Sequence, residues 1–137
     1  MKILFVCAHN RFRSKVAEAL FNKYNKNKGN EVKSAGAALD PLYHYVHENV
    51  VNALAEKGAK VVDEQSVQLD EHLIDWADKI ILVADNVNPE LFPKEKLEIW
   101  KIADCEQHDI GPIKDRVEKI DKKVKELVRR LKEQISL

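Results

Sequence analysis

Apolar and polar positions alternate in blocks along the chain, beginning with a short apolar run at residues 3–6 that ends at Cys7. The polar segment CAHNRFRS follows at residues 7–14. Beyond it, apolar residues such as Val16 and Leu20 recur at helical spacing. The pattern therefore predicts a strand, a loop and a helix in that order.

The same alternation of element types continues through the rest of the chain. The pattern predicts strands at residues 31–35, 79–84 and 97–102, helices at residues 45–57 and 70–76, a short extended piece at residues 60–62, and a short helical segment opening at Asn88-Pro89. Gly58 follows the second helix, a common position for glycine past a helix end. Strands that alternate with helices predict an α/β fold with right-handed crossovers and a parallel sheet between layers of helices.

The C-terminal segment predicts one long amphipathic helix from about Ile113. Its apolar residues recur at intervals of three and four, namely Val117, Ile120, Val124, Leu127, Leu131 and Ile135. The favoured interpretation is a stripe that packs on the core, and the alternative is a coiled coil.

Length and charge narrow the possible functions. The 137 residues fit a single domain over 1–137. The 23 basic and 23 acidic residues balance, which argues against a nucleic-acid or membrane partner. No apolar stretch approaches the about 20 residues of a membrane span, and MKILFVC runs into a charged loop without a signal-type cleavage site. We therefore expect a cytoplasmic location.

Cysteine and histidine usage argues against disulfide and metal frameworks. Cys7 and Cys105 are the only cysteines, too few for a disulfide scaffold and without zinc-site spacing. The five histidines lack paired ligand spacing with Cys, Asp or Glu, so neither a metal nor a cofactor is predicted.

The loop between the first strand and helix carries the candidate chemistry. Five residues separate Cys7 from Arg13, and Ser14 follows. A loop that curls before a helix can direct its backbone N–H groups at an anion, to which the helix N-terminus adds partial positive charge. The planar guanidinium of Arg13 can hold two phosphate oxygens, and a cysteine thiolate is a nucleophile. The alternative is an inert, buried Cys7 and a surface arginine.

The predicted phosphate-binding residues complete this loop: Ala8, His9, Asn10, Arg11, Phe12 and Ser14. Curling requires a left-handed backbone conformation somewhere in the loop, which contains no glycine. Asn10 is the candidate for this kink, since asparagine tolerates that conformation better than most residues.

CAHNRFRS resembles Cys-x-x-Asn-x-x-Arg-Ser, the signature of the low-molecular-weight tyrosine phosphatase and thioredoxin-type arsenate reductase superfamily. Ser34-Ala35-Gly36 and residues 76–83 are similar to later family segments, and Asp104 falls where a late Asp-Pro loop is expected. The resemblance implies a three-layer α/β sandwich with a four-stranded parallel sheet. It also implies roles: Cys7 as nucleophile, Arg13 as phosphate clamp, Ser14 as donor to the thiolate, Asn10 as loop organiser and Asp104 as general acid.

The chain departs from the family pattern at three positions. His9 replaces a common glycine, Phe12 replaces the second cysteine of many tyrosine phosphatases, and Cys105 replaces the proline after the acid. Because proline would fix that loop, Asp109 remains a rival to Asp104. The pairing of Cys7 with Cys105 in a regulatory disulfide is a further open hypothesis.

Two sets of residues near the implied site have alternative interpretations. Tyr43, His44, Tyr45 and His47 follow Gly36, where the family surrounds the leaving group; they favour an aryl phosphate, or else pack on the domain surface. Asp85 ends a predicted strand and either braces Arg13 or is a solvated carboxylate.

The leading functional hypothesis is a phosphatase that acts on a phosphorylated protein, through phosphotyrosine, or on a small aryl phosphate, with inorganic phosphate as product. Arsenate reduction is the first alternative, but it needs further thiols, and no cysteine lies between Cys7 and Cys105. A phosphocysteine carrier is disfavoured by Arg13-Ser14. A phosphate-binding or redox-sensing module without turnover is the last alternative.

Overall fold

A four-stranded parallel sheet forms the centre of the computed structural model, which describes residues 1–136 and their side chains as far as Gln134. The strands are β1 (Lys2–Cys7), β2 (Glu31–Gly36), β3 (Lys79–Val83) and β4 (Leu97–Trp100), in the order β2-β1-β3-β4. Every neighbouring pair is parallel. The predicted parallel sheet is confirmed.

Helices cover both faces of this sheet. They are α1 (Arg13–Tyr24), α2 (Glu48–Glu56), α3 (Glu71–Trp76) and α4 (Ile110–Ser136), with short 3-10 helices at Pro89–Leu91 and Lys94–Lys96. Alternate residues of β1 point to opposite faces of the sheet and so belong to two separate core clusters. Ile3 and Phe5 pack on the side of α1, α2 and α4. Leu4 and Val6 pack on the side of α3. The predicted three-layer α/β sandwich is therefore confirmed.

The amphipathic stripe of α4 packs on the core, as the favoured interpretation predicted. Its buried residues are Ile113, Val117, Ile120, Val124, Leu127 and Leu131, and the helix contacts α1 and α2. The side chain of Ile135, the last residue of the predicted stripe, lies outside the described residues. The helix begins at Ile110 rather than near Ile113, because Asp109 Oδ1 accepts a hydrogen bond from Gly111 N (3.1 Å) at its first turn.

Two predicted boundaries were wrong. The helix predicted from Tyr45 begins at Glu48, because His47 Nδ1 caps it by accepting from Asn49 N (3.0 Å), while Tyr45 pairs antiparallel with Gln65. Residues 60–62, predicted as a short extended piece, belong to no strand of the sheet. The last strand ends at Trp100 rather than at residue 102, because Ile102 N turns back to donate to Trp100 O (2.8 Å).

The carboxyl end of the sheet brings the candidate site together. Cys7 ends β1, and Gly36 pairs with it at the end of β2. A Cβ at Gly36 would lie 2.7 Å from His9 C and 2.8 Å from Asn10 N, so only glycine allows β2 to approach the loop this closely. This contact gives a physical reason for the Ser34-Ala35-Gly36 segment.

No helix among residues 1–136 combines the length and the apolar content that a membrane crossing requires. The longest, α4, has 27 residues and carries charged residues between the members of its apolar stripe.

Candidate active site

The loop from Cys7 to Arg13 curls at Asn10. Asn10 has a φ of 55° and is the only non-glycine residue with a positive φ in the described chain, which confirms the predicted kink. This conformation costs free energy for most L-residues, and asparagine is one of the few that adopt it readily. The loop therefore reverses direction without a glycine.

The buried side chain of Asn10 fixes this curled shape. Its Nδ2 donates to Ser14 Oγ (2.8 Å) and to Ser34 Oγ (3.0 Å), and its Oδ1 accepts from Val67 N (2.9 Å). Ser34 Oγ in turn donates to Glu18 Oε1 (2.7 Å). The amide thus joins the loop to α1, to β2 and to the segment before α3.

The directions of the hydrogen bonds in this network leave the hydroxyl proton of Ser14 available to the sulfur of Cys7. Ser14 Oγ lies 2.9 Å from Cys7 Sγ and accepts from Asn10 Nδ2. Because the amide nitrogen can only donate, the hydroxyl proton of Ser14 is free to point at the sulfur. Such a donor stabilises the negative charge of a thiolate.

Two buried charged residues support the loop from α1. Lys15 Nζ donates to Asp63 O (2.6 Å) and Gln65 O (2.8 Å) and so fixes the segment that contacts Asn10. Burial lowers the pKa of Lys15, and the nearby carboxylates of Glu18 and Asp63 oppose that shift. Burial likewise raises the pKa of Glu18, while the Ser34 hydrogen bond and the Lys15 charge oppose it.

Arg13 is 1% exposed, and the chain holds its guanidinium from several sides. Nη1 donates to Ile102 O (2.8 Å) and Nη2 to Asn86 Oδ1 (3.0 Å). Asp85 lies 3.7 Å from Nη1 and is about half exposed, so it contributes a weak brace. Arg13 Nε is buried without a hydrogen-bond partner among the described residues. A buried donor without a partner is costly unless a ligand supplies the acceptor.

The loop that leads into α1 presents further N–H donors that have no backbone acceptor among the described residues. Its cap residue, Phe12, makes no side-chain capping hydrogen bond, and the first turn contains no acidic residue. In the described chain, no backbone carbonyl accepts a hydrogen bond from the N–H groups of residues 8–12. Uncapped N–H groups and the helix dipole together form a site for an anion.

The structure separates the two candidate acids. Asp104 lines the pocket that contains Cys7, and its Oδ2 lies 3.7 Å from Arg13 Nη2. It is 39% exposed, and its Oδ1 accepts from Cys105 N (2.9 Å). Asp109 instead caps α4 and does not line this pocket. Of the two candidates, only Asp104 lies in the pocket with Cys7 and Arg13.

Cys105 and Cys7 are both free and pack in different places. Cys105 is half-buried against the core cluster that contains Trp100 and Ile102, whereas Cys7 belongs to the cluster on the α3 side. Burial raises the pKa of the Cys105 thiol. These positions fit Cys105 as a small apolar side chain.

Most of the residues predicted for the site lie around one pocket, whose lining consists of Cys7, His9, Arg11, Phe12, Arg13, Asp104 and Gln107. Asn10 and Ser14 are buried behind the loop, and Ala8 O accepts from Ala38 N (2.9 Å). His9 Nδ1 is 2.7 Å from Ala38 O. Within the described part of the chain, no group of His, Cys, Asp and Glu residues has an arrangement that could hold a metal ion.

Sequence reasoning missed several residues that support the site. Asn86, Gln107, Lys15 and Glu18 were not singled out, although Asn86 follows the carboxyl end of β3, where such residues are expected. The burial of Lys15 had no sequence signal, because an α1 lysine normally lies at the surface.

Comparisons with known proteins agree with this geometry. The sequence model of the low molecular weight phosphotyrosine protein phosphatase family matches residues 2–137. The chain is 35% identical over 119 residues to a protein-arginine-phosphatase of Geobacillus stearothermophilus, covering 83% of this chain and 77% of that protein. It is 33% identical over 105 residues to arsenate reductase 1 of Bacillus cereus, covering 74% of this chain and 75% of that protein.

A solved structure shows the same fold. The YwlE arginine phosphatase from Geobacillus stearothermophilus superposes with a TM-score of 0.83 at 27% identity, covering 97% of this chain and 94% of that one. The protein belongs to the low molecular weight phosphotyrosine protein phosphatase family. The relatives include both phosphatases and arsenate reductases, so the family alone leaves the reaction of this chain undecided.

Proposed function

We propose that the protein is a phosphatase that hydrolyses phosphate monoesters, with protein phosphotyrosine as its substrate, through a cysteinyl-phosphate intermediate. The observation that carries the proposal is the buried Arg13, which lines the pocket together with Cys7 and whose Nε has no hydrogen-bond partner among the described residues. A phosphoryl oxygen would supply the missing acceptor. The uncapped start of α1 supports the same anion.

The first chemical step forms a sulfur–phosphorus bond. The Cys7 thiolate attacks phosphorus in line, and the bond from phosphorus to the leaving oxygen breaks. Protonated Asp104 gives its proton to that oxygen, so that a phenol or alcohol departs. Arg13 and the loop N–H groups stabilise the charge on the three equatorial oxygens.

The second step reverses these roles with water. The Asp104 carboxylate accepts a proton from water, which attacks phosphorus and displaces the Cys7 thiolate. Inorganic phosphate leaves, and the enzyme returns to its starting protonation state. We place this activity in the cytoplasm as part of the proposal, because a catalytic thiol requires reducing surroundings.

Arsenate reduction is the second candidate, favoured by relatives that carry the name arsenate reductase. Reduction of an arsenylated cysteine takes two electrons from further thiols. Here the second cysteine, Cys105, packs in a different core cluster from Cys7, which supports hydrolysis over internal thiol chemistry.

Side-by-side assays test this choice. We expect the purified protein to hydrolyse 4-nitrophenyl phosphate in the presence of a metal chelator, because the proposed mechanism uses side chains and water alone. With arsenate, thioredoxin, thioredoxin reductase and NADPH, we expect no NADPH oxidation above the rate without arsenate. Arsenate-dependent NADPH oxidation together with no phosphate release would instead establish the reductase.

Replacement of Asp104 tests the acid. We expect Asp104→Asn to slow hydrolysis of phenyl phosphate by about 100-fold or more but that of 4-nitrophenyl phosphate by less than about tenfold, because nitrophenolate scarcely needs a proton to leave. The measurement is kcat/KM for both esters, which reports the steps up to departure of the leaving group and excludes the later hydrolysis of the intermediate, where Asp104 acts on both esters alike.

The matched control is Asp109→Asn, which removes a carboxylate from the start of α4. It should change both rates by the same small factor. A leaving-group dependence in the Asp109 variant alone would transfer the acid role to that residue.

A further inference from the structure

A groove with basic and aromatic lining extends from the catalytic pocket. Arg11, Tyr43, Tyr45, His47, Gln107 and His108 line it, and none of them is a carboxylic acid. Arg11 and Gln107 also line the pocket over Cys7, so the groove and the pocket are adjacent and share one wall. Any substrate longer than its phosphoryl group must extend past Arg11 to occupy this groove.

Arg11 is held in a fixed position at this junction. Its Nε donates to Tyr45 O (2.9 Å), and its guanidinium carbon lies 5.1 Å from the ring centre of Tyr43 and 5.8 Å from that of Tyr45. The two rings meet edge to face at 6.1 Å. Contacts between a guanidinium and aromatic faces orient the cation without neutralising it.

No carboxylate among the described residues forms an ion pair with Arg11. Its terminal nitrogens, Nη1 and Nη2, make no hydrogen bond within the described residues. The nearby carboxylate is Asp40, whose pKa is lowered mainly by hydrogen bonds from the backbone of Leu42 and Tyr43 and only secondarily by Arg11. Asp40 is thus satisfied by its own loop, and the two outer nitrogens of Arg11 remain available to a substrate.

We propose that Arg11 is a specificity-determining residue that favours phosphotyrosine flanked by acidic residues and disfavours phosphoarginine. The inference rests on the proposed phosphatase function. A carboxylate next to the phosphotyrosine would meet the free Nη1 and Nη2 donors in the groove. The leaving group of phosphoarginine is itself a guanidinium, and it would meet a fixed like charge at the mouth of the pocket. The chain would therefore differ in substrate from the arginine phosphatase to which it is similar.

The test compares wild type with Arg11→Met on matched peptides. Methionine keeps an unbranched stem against the tyrosine rings and removes the charge. The substrates are phosphotyrosine peptides that differ only in their flanking residues, with glutamate, glutamine or lysine on both sides, and one phosphoarginine peptide. The quantity measured is kcat/KM from phosphate release, at low and at high salt. Arg129→Met is the matched control, because Arg129 is an exposed arginine paired with Glu126 and Glu133 on α4.

We expect wild type and Arg129→Met to prefer the glutamate-flanked over the lysine-flanked peptide by about fivefold or more at low salt. Added salt should reduce this preference, as it does for exposed charges. Arg11→Met should bring the ratio close to one and raise the rate on phosphoarginine relative to phosphotyrosine.

Two different failures can be told apart. An acidic preference that persists in Arg11→Met, or equal rates for all flanks in wild type, would overturn the role of Arg11 while leaving the phosphatase intact. Absence of phosphate release from every peptide and from 4-nitrophenyl phosphate would overturn the proposed function and this inference with it.

Discussion

Replacement of Cys7 with serine is expected to abolish phosphatase activity, a loss of more than about 10⁴-fold. A serine hydroxyl stays protonated at neutral pH, so it is a far weaker nucleophile and a poorer leaving group than the thiolate. The change should preserve the site itself, because the Oγ of a serine can still contact Ser14, and because Asn10 and Arg13 hold the loop independently. The measurement is hydrolysis of 4-nitrophenyl phosphate, followed by calorimetric titration with inorganic phosphate.

Phosphate binding separates loss of chemistry from loss of structure. Cys7→Ser should bind phosphate within a few-fold of the wild-type affinity. Cys105→Ser is the matched control, since Cys105 packs against a core cluster that does not include Cys7, and it should retain activity. Turnover that survives in Cys7→Ser and disappears in Cys105→Ser would reverse the assignment of the nucleophile.

Arg13→Lys should reduce kcat/KM by at least about 100-fold, because the guanidinium of Arg13 acts through its shape as well as its charge. Nη1 and Nη2 are committed to Ile102 O and Asn86, while Nε remains for the substrate. A lysine ammonium is a point charge that cannot make these three contacts from one plane. It would therefore leave either the supporting groups or the phosphoryl oxygens without a donor.

The measurement for this variant is kcat/KM for 4-nitrophenyl phosphate together with the thermal midpoint of unfolding. Arg129→Lys is the matched control, because its arginine lies on the exposed face of α4 and should tolerate the exchange. Near-normal turnover in Arg13→Lys would remove the Arg13 phosphate clamp from the mechanism.

The fold could be predicted from the sequence wherever the local pattern of apolar residues matches the surface that the core buries. The apolar runs of β1 and β3 are buried, so the core requires apolar residues at these positions. The same holds for the apolar stripe of α4. The curl at Asn10 was also predictable, because few residue types accept its backbone conformation.

Predictions failed where a distant contact decides local structure. The end of β4 depends on a turn at Ile102 whose carbonyl contacts Arg13, a residue 89 positions away. The start of α2 depends on pairing between Tyr45 and Gln65. Asn86 and Gln107 have ordinary positions in the sequence and become part of the site only when the strand ends meet.

The hydrogen bonds that hold Asn10 bear on inhibition as well as on catalysis. They hold the loop in its curled form through contacts within the chain itself, so the entropy of ordering it is lost on folding rather than on binding. A preorganised anion-binding loop recognises a tetrahedral oxyanion by its size and charge, and it does not distinguish phosphorus from arsenic at the centre. Under the proposed function, free phosphate, arsenate and the transferred phosphoryl group would compete for the same donors, and we expect the phosphate released in each turnover to inhibit the next.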